Sequence, residues 1–179
     1  MRDVSPPPQK NVDVKEIIDY LYDFVKEPIA KISQLPDWNW ASLMTLHVVI
    51  SIISGVLAGL IKLNLYRIGF GLFLMPIVST ITALLMAMFL YYYFQFFEHK
   101  TEDFRKLFTL VVLSSIPFYF FQIMSEYFSF ISVIGFAVTS LLGVVGLTDN
   151  FKVEKKRAMI IAGCLLALVL LTWIKNNFI

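Results

Sequence analysis

Hydrophobic positions gather into five long runs between residues 41 and 174, separated by short stretches that carry most of the charge. The first run, ASLMTLHVVISIISGVLAGLI at 41–61, has 21 residues and no formal charge. A helix needs about 20 apolar residues to cross a hydrocarbon core of about 30 Å. Backbone N–H and C=O groups find no water there, so each run must be helical. The other runs predict spans at 71–93, 107–124, 128–147 and 158–174. The expected fold class is an all-α integral membrane protein: a five-helix transmembrane bundle at 41–179, preceded by a cytoplasmic leader and amphipathic helix at 1–40.

The second run is too long for one upright span. Residues 68–97 are uncharged, and as a straight helix they would extend about 45 Å. Pro76 offers a break, because an interior proline removes a donor and clashes with the preceding turn. Either 68–75 lies at the interface before the span, or the whole run is one long tilted helix.

Before the first span the pattern changes period. Val14, Ile17, Ile18, Leu21 and Val25 recur at intervals of three and four, with Lys15, Glu16, Asp19, Asp23 and Lys26 on other faces. This predicts an amphipathic helix ending before Pro28, then a short helical piece at 29–33 before Pro36. The proline-rich stretch 5–9 reads as an extended leader. Residues 1–40 hold seven acids against five bases, which disfavours electrostatic docking on anionic lipid. The apolar face formed by Ile17, Ile18, Leu21 and Val25 therefore packs on the chain's own spans, or meets the lipid interface or a partner protein.

Charge adds an orientation. If spans alternate, the N-terminal segment, the second-to-third loop and the fourth-to-fifth loop share a side that holds twelve Lys and Arg; the opposite side holds three, Lys62, Arg67 and Lys175. Excess Lys and Arg near the spans mark the cytoplasm, which predicts a cytoplasmic N-terminus and an external or lumenal C-terminus. Trp38 and Trp40 before and at the first span, Tyr91 to Tyr93 at the end of the second and Trp173 near the end of the fifth read as interfacial aromatic belts. The first 40 residues hold no secretory signal pattern, so the first span is expected to direct insertion.

Composition excludes more than it identifies. Hydrophobic residues make up 58% and charged residues 16%, with a net charge of +2; this excludes disorder and argues against a soluble domain. Lys and Arg are interleaved with acids and no nucleic-acid module is present, so no nucleic-acid partner is expected. Cys164, the one cysteine, reads as a small buried hydrophobe. Small residues form two stripes, Ser51, Gly55 and Gly59 on the first span and Gly135, Thr139 and Gly143 on the fourth. Such stripes let another backbone approach, within the chain or in a homo-oligomer.

Ser114, Ser115 and Pro117 interrupt the third span, where a kink is expected and serine hydroxyls can satisfy a carbonyl that proline frees. His47 lies inside the first span, either as a functional group or as a neutral, hydrogen-bonded one. Together with Ser51, Ser114, Ser115 and Gln122 it could line a polar path. Glu126 falls in a turn open to water. His47 and His99 make no metal-ligand cluster, and no nucleophile motif or phosphate loop is present. Neither an enzyme nor a cofactor is expected.

Three segments carry a family likeness: FVKEPIAKI around Pro28, DFRKLFTLVVLSSIP from Asp103 to Pro117, and GLTDNFKVEKKRAM with Gly146, Leu147, Phe151 and the basic Lys155 to Arg157. With the five close spans they resemble the Yip family of Ypt/Rab-GTPase-interacting membrane proteins, over roughly 24–174. The resemblance implies a non-catalytic protein that organises or shapes membranes and, in eukaryotic members, serves vesicle traffic between endoplasmic reticulum and Golgi. The cytoplasmic segment is short and only EPIAK stands where an acidic-Leu-Tyr-Gly-Pro motif would, which argues against a Rab-type GTPase partner and for a prokaryotic-type member in the plasma membrane. Two readings follow: a scaffold that recruits partners through its cytoplasmic segment, or a small oligomeric transporter, channel or lipid-moving protein.

Overall fold

The computed structural model describes residues 14–178, all of whose regular elements are helices. Two short helices, α1 (Val14–Lys26) and α2 (Pro28–Ser33), precede five long ones: α3 (Trp40–Ile61), α4 (Leu65–Glu98), α5 (Phe104–Ser125), α6 (Phe130–Phe151) and α7 (Lys155–Phe178). Each of the five is long and apolar enough to cross a membrane. The leader at 5–9 lies outside the described residues. Side-chain caps set three of the starts: Asn39 accepts from the Ser42 amide at 2.7 Å, Asn64 from Arg67 at 3.1 Å and Asp103 from Arg105 at 2.9 Å. An oxygen at the N-cap satisfies amides that the first turn leaves unpaired.

α4 settles the status of 68–75. Pro76 does not end the helix, and no separate interfacial segment precedes it. The turn Phe70–Leu74 widens into a π-helix in which the Met75 amide bonds the Phe70 carbonyl, five residues back. The extra residue accommodates proline one position later, where a regular helix would force its ring against a carbonyl. A second π turn, Phe94–Glu98, closes the helix at His99, whose φ of 52° reverses the chain.

Packing is uneven. α5 sits against α3, α4 and α6, whereas α7 packs on α6 alone. Correspondingly, 44% of the α5 span is buried but only 6% of the α7 span. Cys164, on α7, is exposed rather than buried, because its face of the helix has no neighbour. Trp38 is 4% exposed, covered by an edge-on contact from Tyr20 of α1.

The first small-residue stripe is an internal contact. A Cβ on Gly55 would lie 2.6 Å from Gly71 Cα, and one on Gly59 would lie 2.7 Å from the Ile68 amide. Glycines are what let α3 and α4 touch backbone to backbone. Gly71, the partner, stands out only in the structure. Ser51 is buried on the same stripe and bonds the Val48 carbonyl at 2.8 Å.

The second stripe divides. Gly135 meets Phe121 of α5, but nothing lies within 4 Å of a Cβ built on Gly143. Thr139 and Gly143 are therefore not helix contacts, since α4 does not pack on α6 and the space before them is open. Gly146, one turn beyond the stripe, takes the packing role instead, where Leu110 and Ile32 crowd it.

α5 remains α-helical through Pro117. Ser114 and Ser115 bond the Val111 and Val112 carbonyls at 3.2 and 2.8 Å, three residues back. The carbonyl that Pro117 frees belongs to Leu113, out of reach of both. The interhelical bond in this region comes from Ser54 of α3, which donates to the Tyr119 carbonyl at 2.8 Å.

Candidate functional site

Two places in the fold hold features that packing does not use up. The first is the platform that α1 and α2 build on one end of the bundle. α2 is fixed to α6 by Asn150, whose Nδ2 donates to the Ile32 and Gly146 carbonyls at 2.8 and 3.1 Å while its Oδ1 accepts from the Leu35 amide at 3.1 Å. Ser33 adds a bond of 2.6 Å to Asp149. Arg105 ties the following linker to α5 by donating to Asp37 and to the Trp38 carbonyl at 2.6 and 3.0 Å. None of Asn150, Asp149 and Arg105 is distinctive by residue type. Their role depends on a chain return of more than sixty positions that spacing cannot reveal.

α1 rests on α2 through Tyr20, whose hydroxyl donates to the Lys31 carbonyl at 3.2 Å, and through a Lys31–Asp23 ion pair of 2.9 Å. Burial pushes the Tyr20 phenol above its usual range, and the Lys31 hydrogen bond holds the Asp23 carboxyl below its own. The apolar face read from the sequence splits. Ile17 is buried and Leu21 half-buried, joined inward by Phe24, whereas Ile18 and Val25 point outward at 59% and 75% exposure. With Val14 and Tyr22 they form a second apolar stripe at intervals of three and four. The reason is geometric: eight apolar or aromatic positions circle more of the helix than one surface can cover.

The second place is a cavity of about 460 Å³ among the five spans. It gathers His47, Ser114, Ser115 and Gln122, four of the five polar positions picked out for a path within the membrane; Ser51 is not among its walls. Ser79, Thr82, Tyr119, Thr139 and Ser140 line it too. These additions are isolated hydroxyls in apolar runs, which ordinarily bond one turn back, as Thr82 does to Val78, and so carry no signal in sequence. His47 is 1% exposed. Its Nε2 stands 3.5 Å from the Tyr119 hydroxyl, and the Ser79 main chain lies beside the ring. Nδ1 has no hydrogen-bond partner of normal geometry, and neither does Gln122 Oε1 or Thr139 Oγ1. No Asp, Glu, Lys or Arg reaches the walls, and among the described residues no cluster could hold a metal ion.

At the far end of the bundle Glu126 is not simply solvated. It pairs with Arg67 and joins the third-to-fourth span turn to the start of α4.

An all-α, five-span membrane protein with a helical platform docked on one end is the class these features define. Its family follows from comparison. The family model for the Yip1 domain matches residues 25–175, from the end of α1 to the end of the last span, and the chain belongs to the Yip family. Membership makes it a membrane protein of the Yip class, a family of non-enzymatic membrane proteins. No curated protein and no solved structure matches it significantly.

Proposed function

We propose that this Yip-family protein organises the membrane by recruiting a cytoplasmic protein partner to α1. The carrying observation is the division of that helix: one face anchors it through Ile17 and Phe24, and the opposite stripe of Val14, Ile18, Tyr22 and Val25 is left exposed. A helix fixed by one face presents the other without a further ordering cost. Glu16, Asp19 and Asp23 flank the stripe, which favours a protein surface over anionic lipid. The basic end of the bundle faces the cytoplasm in this reading, by the excess of Lys and Arg on that side.

Recruitment is tested by Ile18→Asp with Val25→Asp, because both side chains are exposed and the fold does not depend on them. Crosslinking in native membranes is expected to lose the partner while thermal stability is unchanged. Unchanged crosslinks would end the recruitment reading. Ile17→Asp is unsuitable here, since Ile17 is buried and its loss would unfold the platform. Orientation is tested separately, with one reporter fused after Ile179 and another near Lys155; both on one side of the membrane would remove the assignment.

The cavity favours a second reading, a small oligomeric transporter or lipid-moving protein. Solute or lipid flux in proteoliposomes that disappears with His47→Ala, while crosslinking to the partner persists, would replace the recruitment reading.

A further inference from the structure

We propose that the cavity among the spans is a binding site for an uncharged, single-chain amphiphile, such as a long-chain alcohol, whose chain lies along the slot and whose polar group sits at mid-membrane depth. This site is independent of the α1 surface.

Its dimensions point to a chain. On α5 the walls run from Leu110 to Gln122, about 18 Å at 1.5 Å per residue. A space of about 460 Å³ drawn out over that length is elongated along the helices, the shape of a chain rather than of a compact solute. The volume falls within the range of about 300–1,000 Å³ typical of ligand pockets.

The polar groups define the head. Thr82, Ser114 and Ser115, and Thr139 and Ser140 lie near the midpoints of α4, α5 and α6, so this group of hydroxyls is far from water at either end of the bundle, whereas Gln122 stands in the last turn of α5. Buried polar atoms without partners are costly in a dry interior. His47 Nδ1 and Thr139 Oγ1 are two such atoms in one cavity. A hydroxyl can both donate and accept, which suits a threonine hydroxyl and an imidazole of either tautomer. A phosphate or ammonium head is excluded by the same wall, which has no ionic side chain to compensate a charge at that depth.

Entry is lateral. α4 and α7 both line the cavity, yet they do not pack on each other along their length. The Arg157–Glu98 ion pair of 2.9 Å joins them at the platform end alone. Phe70 and Val78, on the α4 wall, are 44% and 51% exposed, so the slot borders lipid.

The test uses the purified full chain in phosphatidylcholine vesicles and a C16 alcohol carrying a diazirine and an alkyne, beside the same chain ending in phosphate. The alcohol is expected to label the protein saturably, with crosslinks on α5 and α6 wall residues, and to be competed by unlabelled hexadecanol. The phosphate analogue is expected to label at least fivefold less. Gly143→Leu fills the slot from a position where a side chain meets open space, and should cut alcohol labelling at least fivefold without lowering thermal stability. Leu141→Phe, on the lipid face, should leave labelling unchanged. Equal labelling by the two probes, labelling that hexadecanol does not compete, or crosslinks confined to lipid-facing positions would each overturn the proposal. The competition arm uses the unaltered chain, so it decides the matter even if Gly143→Leu fails to fold.

Discussion

Replacing Gly71 by alanine adds one methyl group where α4 crosses α3. That carbon would press on the Gly55 carbonyl carbon, with the Gly55 oxygen at 2.6 Å and the Val56 amide at 2.7 Å, against ordinary contact at 3.4–4 Å. All three atoms are backbone and none can rotate away. The helices must separate by about 1 Å to restore contact, and a gap of about 0.5–1 Å forfeits a quarter to a half of the attraction of every atom pair across it. Overpacking of this kind costs about 1–3 kcal/mol, offset by the roughly 0.5–1 kcal/mol that alanine gains over glycine within a helix. The net loss is about 1–2 kcal/mol. On the scaling for soluble chains of this size, that lowers the midpoint of thermal unfolding by about 2–8 °C. Gly69→Ala is the control, two residues away with nothing within 4 Å of its Cβ, and is expected to be neutral or slightly stabilising. The assay is thermal unfolding of the detergent-solubilised protein followed by size-exclusion chromatography. If Gly71→Ala and Gly69→Ala melt together, the α3–α4 backbone contact is not what holds these helices.

Asn150→Ala should free α2 from α6, because it removes three hydrogen bonds and leaves the Leu35 amide and Ile32 carbonyl unpaired. At about 1 kcal/mol each, the loss is expected to appear as faster proteolysis at Lys26 and Lys31, and unchanged cleavage would contradict it. For Asp23, the hydrogen bond from Lys31 holds the folded carboxyl below the usual carboxylate range, so its contribution is present above that range and fades as pH falls through the lowered value. The protection of α1 amides, measured relative to their intrinsic exchange rates, should therefore fall below about pH 4 in the native chain and lose that step in Asp23→Asn; an identical profile would refute the assignment. Glu126→Gln should cost no more than about 1 kcal/mol, with the deficit shrinking in high salt, because the pair with Arg67 is partly exposed. A salt-independent loss would mean that Glu126 acts otherwise.

The spans were legible because lipid imposes a length and an apolar character that no soluble core demands. Their expected limits fall within a few residues of α3, α5, α6 and α7. α4 was not, since a π turn and a proline cancel each other only in three dimensions. The stripe of Ser51, Gly55 and Gly59 could be recognised as a place of close approach, but its opposite face, Gly71, lies in another run with no stripe of its own. Within the membrane, His47, Ser114, Ser115 and Gln122 were readable as polar interruptions, whereas their convergence with Ser79, Tyr119 and Ser140 is a property of helix rotation. On the platform, periodicity found the amphipathic helix and could not say that Ile17 and Leu21 would turn inward while Ile18 and Val25 stayed out.

The π turn at Phe70–Leu74 also sets a helical phase. One residue corresponds to about 100° of rotation, so an extra residue in the turn makes α4 two helices on one axis, each aimed by its own contacts. Before it, Arg67 and Ile68 face Gly59; after it, Ser79 stands beside His47 and Tyr119. Deleting Leu72 would restore a regular helix and swing 65–71 away from α3, while 75–93 kept its place. A single deletion here would thus be felt at the crossing with α3 and, in the cavity, at Phe70 alone, while the α4 wall from Met75 to Leu90 kept its place.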